Sequence, residues 1–463
     1  MHTDKYTRFS ISIFAVLVVT IYATLFGNYR ANLAIDTEFY LSFSYNYCIK
    51  GTDVDATFGM PFPISPGGTV AFGKLAAIVQ CAALAPFNWS LVAANVLSLA
   101  GVVLSMAAIF AFLVGEGFGR FGAVTCCLAL AATEPFVAMA NQSKYEYVTF
   151  LLAVCGLLLA ARRHLLLAGL ISVLAIEVQP IGIMAPIYLI SYEASRMIQT
   201  RRFRVEFDRV AKLVLGGVLG IAVYFILHPH ILALLTTPSN SAGWNLGKIH
   251  FLYGYFFETR LYRHLPELAV FSACLLVHIW RRDYMQWPFP IIASLGTLFV
   301  GFFLRHHNSF YVPFWYFPSF LLVFQTINVA WRAVALPALV LVVFVPQYAV
   351  AYVEGHKYAR QSELQVVRSA IGSRGTDLSR AHIFGDFIFW PVFKDLSFAW
   401  SPSVWNNQRR IPNGTIYLIC GLDPPFSPVE RVCADELPAF SDMQIVEQFS
   451  WAGRKYLVYE RRE

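Results

Sequence analysis

The chain has 463 residues, of which 57% are hydrophobic and only 14% charged, with a mean hydropathy of +0.56. A soluble domain carries about 25% charged residues, so a soluble enzyme of this length is excluded. The formal net charge of +7 comes from basic residues spread among short loops, which excludes a nucleic-acid partner. The aromatic share of 16% suits membrane spans with interfacial anchors.

The first apolar stretch, 9–27, follows a head containing Lys5 and Arg8. A cleavable signal peptide needs a shorter apolar core and a small-residue cleavage site, so the stretch reads as a retained first span. Further apolar stretches lie at 89–113, 121–140, 146–161, 165–178, 180–195, 210–228, 266–280, 286–304, 310–328 and 332–352, which makes eleven expected transmembrane helices. The pair at 165–195 is short for two crossings, but basic clusters flank it. Arg162 and Arg163 precede it; Arg196, Arg201, Arg202, Arg204, Arg209 and Lys212 follow it. The positive-inside rule wants both clusters in the cytoplasm, which requires two spans or a re-entrant pair between them.

The same rule places Arg120, Arg281, Arg282 and Arg332 inside. The segments 28–88 and 229–265 and the tail after residue 352 then fall outside, with the N-terminus cytoplasmic. The expected organisation is a transmembrane domain over 1–352 and an extracytoplasmic α/β or α+β domain over 353–463. In that tail charges return, a helix is expected over 362–371, and β-rich runs stand at 415–420, 444–449 and 455–459. The four residues 451–454, containing Gly453, read as the turn of a hairpin.

The eight cysteines divide by place. Cys126, Cys127, Cys155 and Cys274 fall in spans and read as packing residues. Cys48 and Cys81 share the first outside loop, Cys420 and Cys433 the tail, and an oxidising compartment would let either pair close.

Ionisable groups near the hydrocarbon are costly, so those retained there are candidates for function. Asp36 and Glu38 follow the first span, Glu146 opens the fourth, Glu177 and Gln179 stand at the break before Pro180, and Arg305, His306 and His307 join two late spans. The topology puts all of them at the outside boundary, bringing proton acceptors and phosphate-binding cations to one face. His306 and His307 with His228 and His230 lack a helical i, i+4 ligand pair, so no metal site is expected there.

In this order the residues resemble the GT-C superfamily, in the branch of protein O-mannosyltransferases and the aminoarabinose transferase that modifies lipid A. The resemblance runs along residues 9–328. Asp36 and Tyr40 keep the family's spacing of acid and aromatic on a helix lying along the membrane, although Thr37 replaces the second acid and Glu38 sits one place later. The Gly/Pro-rich stretch 59–68 and Lys74 are similar to the family's segment leading into a second amphipathic helix. Glu146 matches an acid at the outside start of span four. Gln179-Pro180 stands where Lys-Pro or Lys-Gly is usual, and Arg305 and His307 precede Tyr311-Val-Pro313 much as family basic residues precede a Tyr-x-x-Pro-like span.

The resemblance implies a polyprenyl-phosphate sugar as donor, a lipid, glycan or protein acceptor, and inverting transfer without a cofactor. It implies Asp36 and Glu146 as catalytic residues, and Glu38, Tyr40, Lys74, Gln179, Arg305, His307 and Tyr311 as substrate-binding ones, at a bacterial inner membrane facing the periplasm. The alternatives are a lipid-linked-oligosaccharide transporter and an O-antigen ligase or polymerase.

Overall fold

The computed structural model describes residues 2–25, 34–51, 72–141, 144–200, 207–229, 265–281, 287–303, 312–327, short helical pieces between 335 and 349, and 364–372, 378–385, 389–400, 414–421, 443–451 and 454–461. It is a mostly helical protein of membrane type with a small mixed β-sheet at its C-terminal end.

Helix α1 (His2–Leu25) covers the first apolar stretch. Helix α2 (Ala34–Tyr45) runs into a π-helical turn, Asn46–Lys50, which Gly51 ends in the left-handed region. Helix α3 (Lys74–Leu84) leads through a 3-10 turn to α4 (Leu91–Gly115), where Ser90 accepts a capping hydrogen bond from the Ala93 amide at 3.1 Å.

The stretch expected as one span at 121–140 is instead two helices, α5 (Arg120–Ala131) and α6 (Glu134–Asn141), bent by 68° at the break. The cause is local. Pro135 lacks an amide hydrogen and restricts Glu134, while the Thr133 hydroxyl donates to the Leu130 carbonyl at 2.8 Å, so the helix ladder stops there.

The chain continues as α7 (Glu146–Ala161), α8 (Leu165–Val178), a 3-10 turn (Pro180–Ile183), α9 (Met184–Thr200) and α10 (Phe207–Leu227). Three more helices follow: α11 (Leu265–Arg281), α12 (Phe289–Phe303) and α13 (Val312–Thr326).

Among the described residues, two helices are long and apolar enough to cross a bilayer, 91–115 and 208–227, and the bent α5–α6 pair would make a third. Helix α10 leaves Val214, Leu215, Val218, Leu219, Ile221 and Ile226 exposed. That much contiguous apolar surface makes sense when hydrocarbon is the solvent. Its opposite side lies close to α8, where a Cβ on Gly169 or Gly216 would come within 2.2 Å of a backbone oxygen of the facing helix. Small residues let two membrane helices touch at the backbone, where dispersion contacts replace the absent hydrophobic drive.

The C-terminal sheet holds β1 (His382–Gly385), β2 (Ser397–Trp400), β3 (Ile416–Gly421), β4 (Gln444–Trp451) and β5 (Arg454–Arg461) in the order β2-β1-β3-β5-β4. The β1 strand is parallel to β2 and β3, and the remaining pairs are antiparallel. Trp451 pairs with Arg454, so the expected hairpin is present with a two-residue connection. Helix α14 (Leu364–Gly372) lies within two residues of its expected bounds, and α15 (Trp390–Phe393) links β1 to β2.

Two apolar cores result. One fills the helical unit around Phe112, Phe136, Phe150, Phe314 and Phe317. The other joins Ile383, Tyr417, Ile419 and Val458 of the sheet and Phe389, Trp390 and Phe393 to Leu41 and Tyr45 of α2, to Leu84 at the end of α3 and to Trp89 beyond it. The sheet therefore packs on the same short helices that carry the candidate site. Tyr45 Oη donates to Asp395 Oδ1 at 2.9 Å across this contact, its ring lying edge-on to Trp89 and Trp390, and the Lys394 ammonium donates to the Asn88 carbonyl.

Cys48 and Cys81 form a disulfide that ties the π turn after α2 to α3. Cys420 is also disulfide-bonded, while Cys433 lies outside the described residues. Cys126, Cys127, Cys155 and Cys274, in the helical unit, are not disulfide-bonded.

Candidate functional site

The site grows from a break in the sequence. Pro180 cannot continue α8, so Gln179 turns to an extended backbone at φ −162° and ψ 143° and the chain restarts as a 3-10 turn. Two polar side chains on this segment, Glu177 and Gln179, are thereby held inside the helical unit with 0% and 2% exposure. Each reaches a different pair of neighbours.

Gln179 faces α2 and α7. Its Nε2 donates to Tyr40 Oη at 3.1 Å and to Glu146 Oε1 at 3.3 Å. Glu146 is the first residue of α7, where the helix macrodipole favours a carboxylate. Next to it, Tyr145 packs its ring 4.5 Å from that of Tyr40 and places its hydroxyl 2.7 Å from Ser44 Oγ. Three elements distant in sequence, α2, α7 and the break after α8, thus meet at one buried hydrogen-bonded junction.

Glu177 faces α3. Its Oε1 accepts from the Lys74 amide at 2.9 Å, its Oε2 from the Leu75 amide at 3.3 Å, and His228 Nε2, just past α10, lies 2.8 Å from Oε1. The backbone carbonyl of Glu177 accepts from the Gly73 amide at 2.6 Å. A carboxylate from another helix therefore caps the start of α3, an end that Gly73 itself leaves without a side-chain cap. Gly73 sits at φ +92°, and a Cβ there would stand 2.5 Å from Tyr145 Cε2. Only glycine meets both the backbone and the steric demand at this position.

Four of the residues expected from sequence are brought together here: Tyr40, Lys74, Glu146 and Gln179. Asp36 and Glu38 lie on α2, on the same helix as Tyr40. Their side chains fall outside the described residues, as do Arg305, His306, His307, Tyr311 and His230. The sequence marks Glu177 as a candidate at the break before Pro180 and His228 as a histidine without a helical ligand partner; the structure makes them partners of each other. Tyr145 was passed over. Its signal was its place beside Glu146, in a four-residue run, 144–147, where every residue is charged or aromatic and which falls at a helix start.

The chain combines membrane-type helices, short helices carrying polar residues at one end and an appended sheet. It matches along nearly its whole length the crystal structure of ArnT from Cupriavidus metallidurans bound to undecaprenyl phosphate, with a TM-score of 0.59, 13% sequence identity and coverage of 97% of each chain. No family model and no curated protein matches the sequence. At this identity the match concerns the fold.

Proposed function

We propose that the chain is a membrane glycosyltransferase that moves a sugar from a polyprenyl-phosphate donor to an acceptor hydroxyl outside the cytoplasm, with inversion. The observation that carries this reading is the junction of Tyr40, Gln179 and Glu146 beside the start of α3 at Lys74. It puts a buried carboxylate and a lysine-bearing helix start on neighbouring elements, as transfer from a phosphate-linked sugar requires. The near full-length likeness to ArnT, solved with undecaprenyl phosphate, supports the donor class.

In this reading eleven spans carry the chain across a bacterial inner membrane, with the N-terminus cytoplasmic and the 353–463 domain outside. Asp36 is the base. It takes the proton of the acceptor hydroxyl as that oxygen attacks the anomeric carbon. The bond from that carbon to the phosphate oxygen breaks, and the polyprenyl phosphate leaves with the electron pair. Charge grows on the phosphate as it leaves, and Lys74, Arg305 and His307 stabilise it. Glu146, held by Gln179, orients the acceptor or shares the base role. Tyr40, Glu38 and Tyr311 complete the binding surface. Each step needs only carboxylates and cations of this chain.

The test is transfer of radiolabelled sugar from a panel of polyprenyl-phosphate sugars to membrane extract by the purified protein and by Asp36→Asn. Label entering a product with the wild type alone supports both class and base. Equal transfer by Asp36→Asn removes the base while keeping the class. No transfer from any donor by well-folded protein turns the reading toward a transporter.

A further inference from the structure

Glu177 is fully buried, and the chemistry proposed above makes no use of it. Burying a carboxylate is costly unless it is hydrogen-bonded and paired. Here the Lys74 and Leu75 amides and His228 meet that demand. A leucine would pack the same space without the burden of a buried charge. The arrangement also settles how α3 can meet an anion. The first amides of an open helix are a ready phosphate site, but those of α3 are already taken by Glu177. The cation that this helix start carries is the Lys74 side chain, itself only 7% exposed.

We propose that Glu177 and His228 are positioning residues for donor binding: the pair clamps the first turn of α3 from the ends of α8 and α10 and so fixes where Lys74 presents its charge. The inference rests on the reading that Lys74 meets the donor phosphate. It extends that reading to the residues behind it. Glu177 stands two residues before Gln179, so one rigid segment sets both the lysine-bearing start of α3 and the Glu146 carboxylate. The spacing between phosphate side and acid side is then a property of this segment and does not depend on the long loops.

The test is titration of the purified full chain in nanodiscs with undecaprenyl phosphate, comparing wild type, Lys74→Ala, Glu177→Ala, Glu177→Gln, His228→Phe and the Glu177→Ala/Lys74→Ala double variant. Glu177→Ala removes the two hydrogen bonds that hold the first turn of α3 and is expected to weaken binding about ten- to a hundredfold. The double variant should bind no worse than Lys74→Ala alone, because a residue acting through Lys74 has nothing left to position. Glu177→Gln keeps an acceptor oxygen for the α3 amides and should recover most of the affinity, while His228→Phe should lose part of it.

Wild-type binding by Glu177→Ala, or a loss that adds in full to that of Lys74→Ala, overturns the proposal and leaves Lys74's role standing. Wild-type binding by Lys74→Ala overturns the phosphate role of Lys74 and the clamp together. If Glu177→Ala does not fold, His228→Phe decides: unchanged affinity overturns the clamp, and a loss that disappears in the Lys74→Ala background supports it.

Discussion

Replacing Gly73 by alanine probes the start of α3 more sharply than any change of charge, because two separable costs fall on one methyl group. The first is conformational. Gly73 has φ +92°, and a left-handed backbone costs a residue with a Cβ about 1–2 kcal/mol. The second is steric. The new Cβ would stand 2.5 Å from Tyr145 Cε2 and 3.2 Å from Cδ2. That ring cannot simply swing away, since its hydroxyl is 2.7 Å from Ser44 Oγ and its face packs on Tyr40. Overpacking of this kind costs about 1–3 kcal/mol. Together the two amount to about 2–5 kcal/mol, a large share of a typical folding stability.

The displacement also acts directly on the Gly73 amide, which donates to the Glu177 carbonyl, and on Lys74 beside it. Gly73→Ala is therefore expected to lower the melting temperature and to weaken undecaprenyl-phosphate binding in the same preparation. In the Tyr145→Ala background the steric part vanishes, and Gly73→Ala should then cost only the conformational 1–2 kcal/mol, roughly. Thermal unfolding of the four proteins in detergent measures both parts. A Gly73→Ala protein with unchanged melting temperature and unchanged binding would refute the described geometry of this turn.

Gln179→Leu removes hydrogen bonds to Tyr40 and to the Glu146 carboxylate, and bonds to charged groups contribute about 1.5–3 kcal/mol. Sugar transfer should fall about ten- to a hundredfold in kcat/KM; an unchanged value would show that the junction does not serve the reaction. Opening the Cys48–Cys81 disulfide, which spans 33 residues, should cost about 3–4 kcal/mol in the chain-entropy model, seen as a lower melting temperature of the Cys48→Ser/Cys81→Ser protein than of the wild type, both without reductant. Arg209→Ala leaves the buried Glu193 carboxylate without its two-pronged partner at 2.7 and 3.0 Å and should destabilise the helical unit by about 3 kcal/mol; Glu193→Gln in the same protein should return part of that.

Burial, then the hydrogen bond and charge of Asp395, push the Tyr45 phenol up to about 12. The group is raised above its unfolded value near 10, so its contribution is whole below pH 10 and is lost as pH rises toward 12. Melting curves should show this alkaline loss in the wild type and not in Tyr45→Phe.

The sequence by itself determined the membrane class and the start and end of most helices. Continuous apolar runs of span length have few alternatives in water, and the positions of Pro180 and Gly73 are written in residue type. Glu146 was placed at the head of its helix, and the 451–454 hairpin was found, because both signals are local. The bend at Thr133 and Glu134 was also written there, in Pro135, but an uninterrupted apolar stretch hides a break that lies within it. Strands β1 and β2, each four residues long, are too short to show an alternation; pairing of β1 with β3, and of β2 with β1, is what makes them strands.

Only the tertiary structure decided who meets whom. Tyr40, Glu146 and Gln179 are separated by more than thirty residues at each step, and no periodicity relates them. The same holds for Glu177, which in sequence is an acid near a helix end and in the fold is the cap of a different helix, braced by a histidine 51 residues away. A buried carboxylate takes its meaning from the donors around it, and those donors are assembled by helix packing, which a linear pattern does not encode.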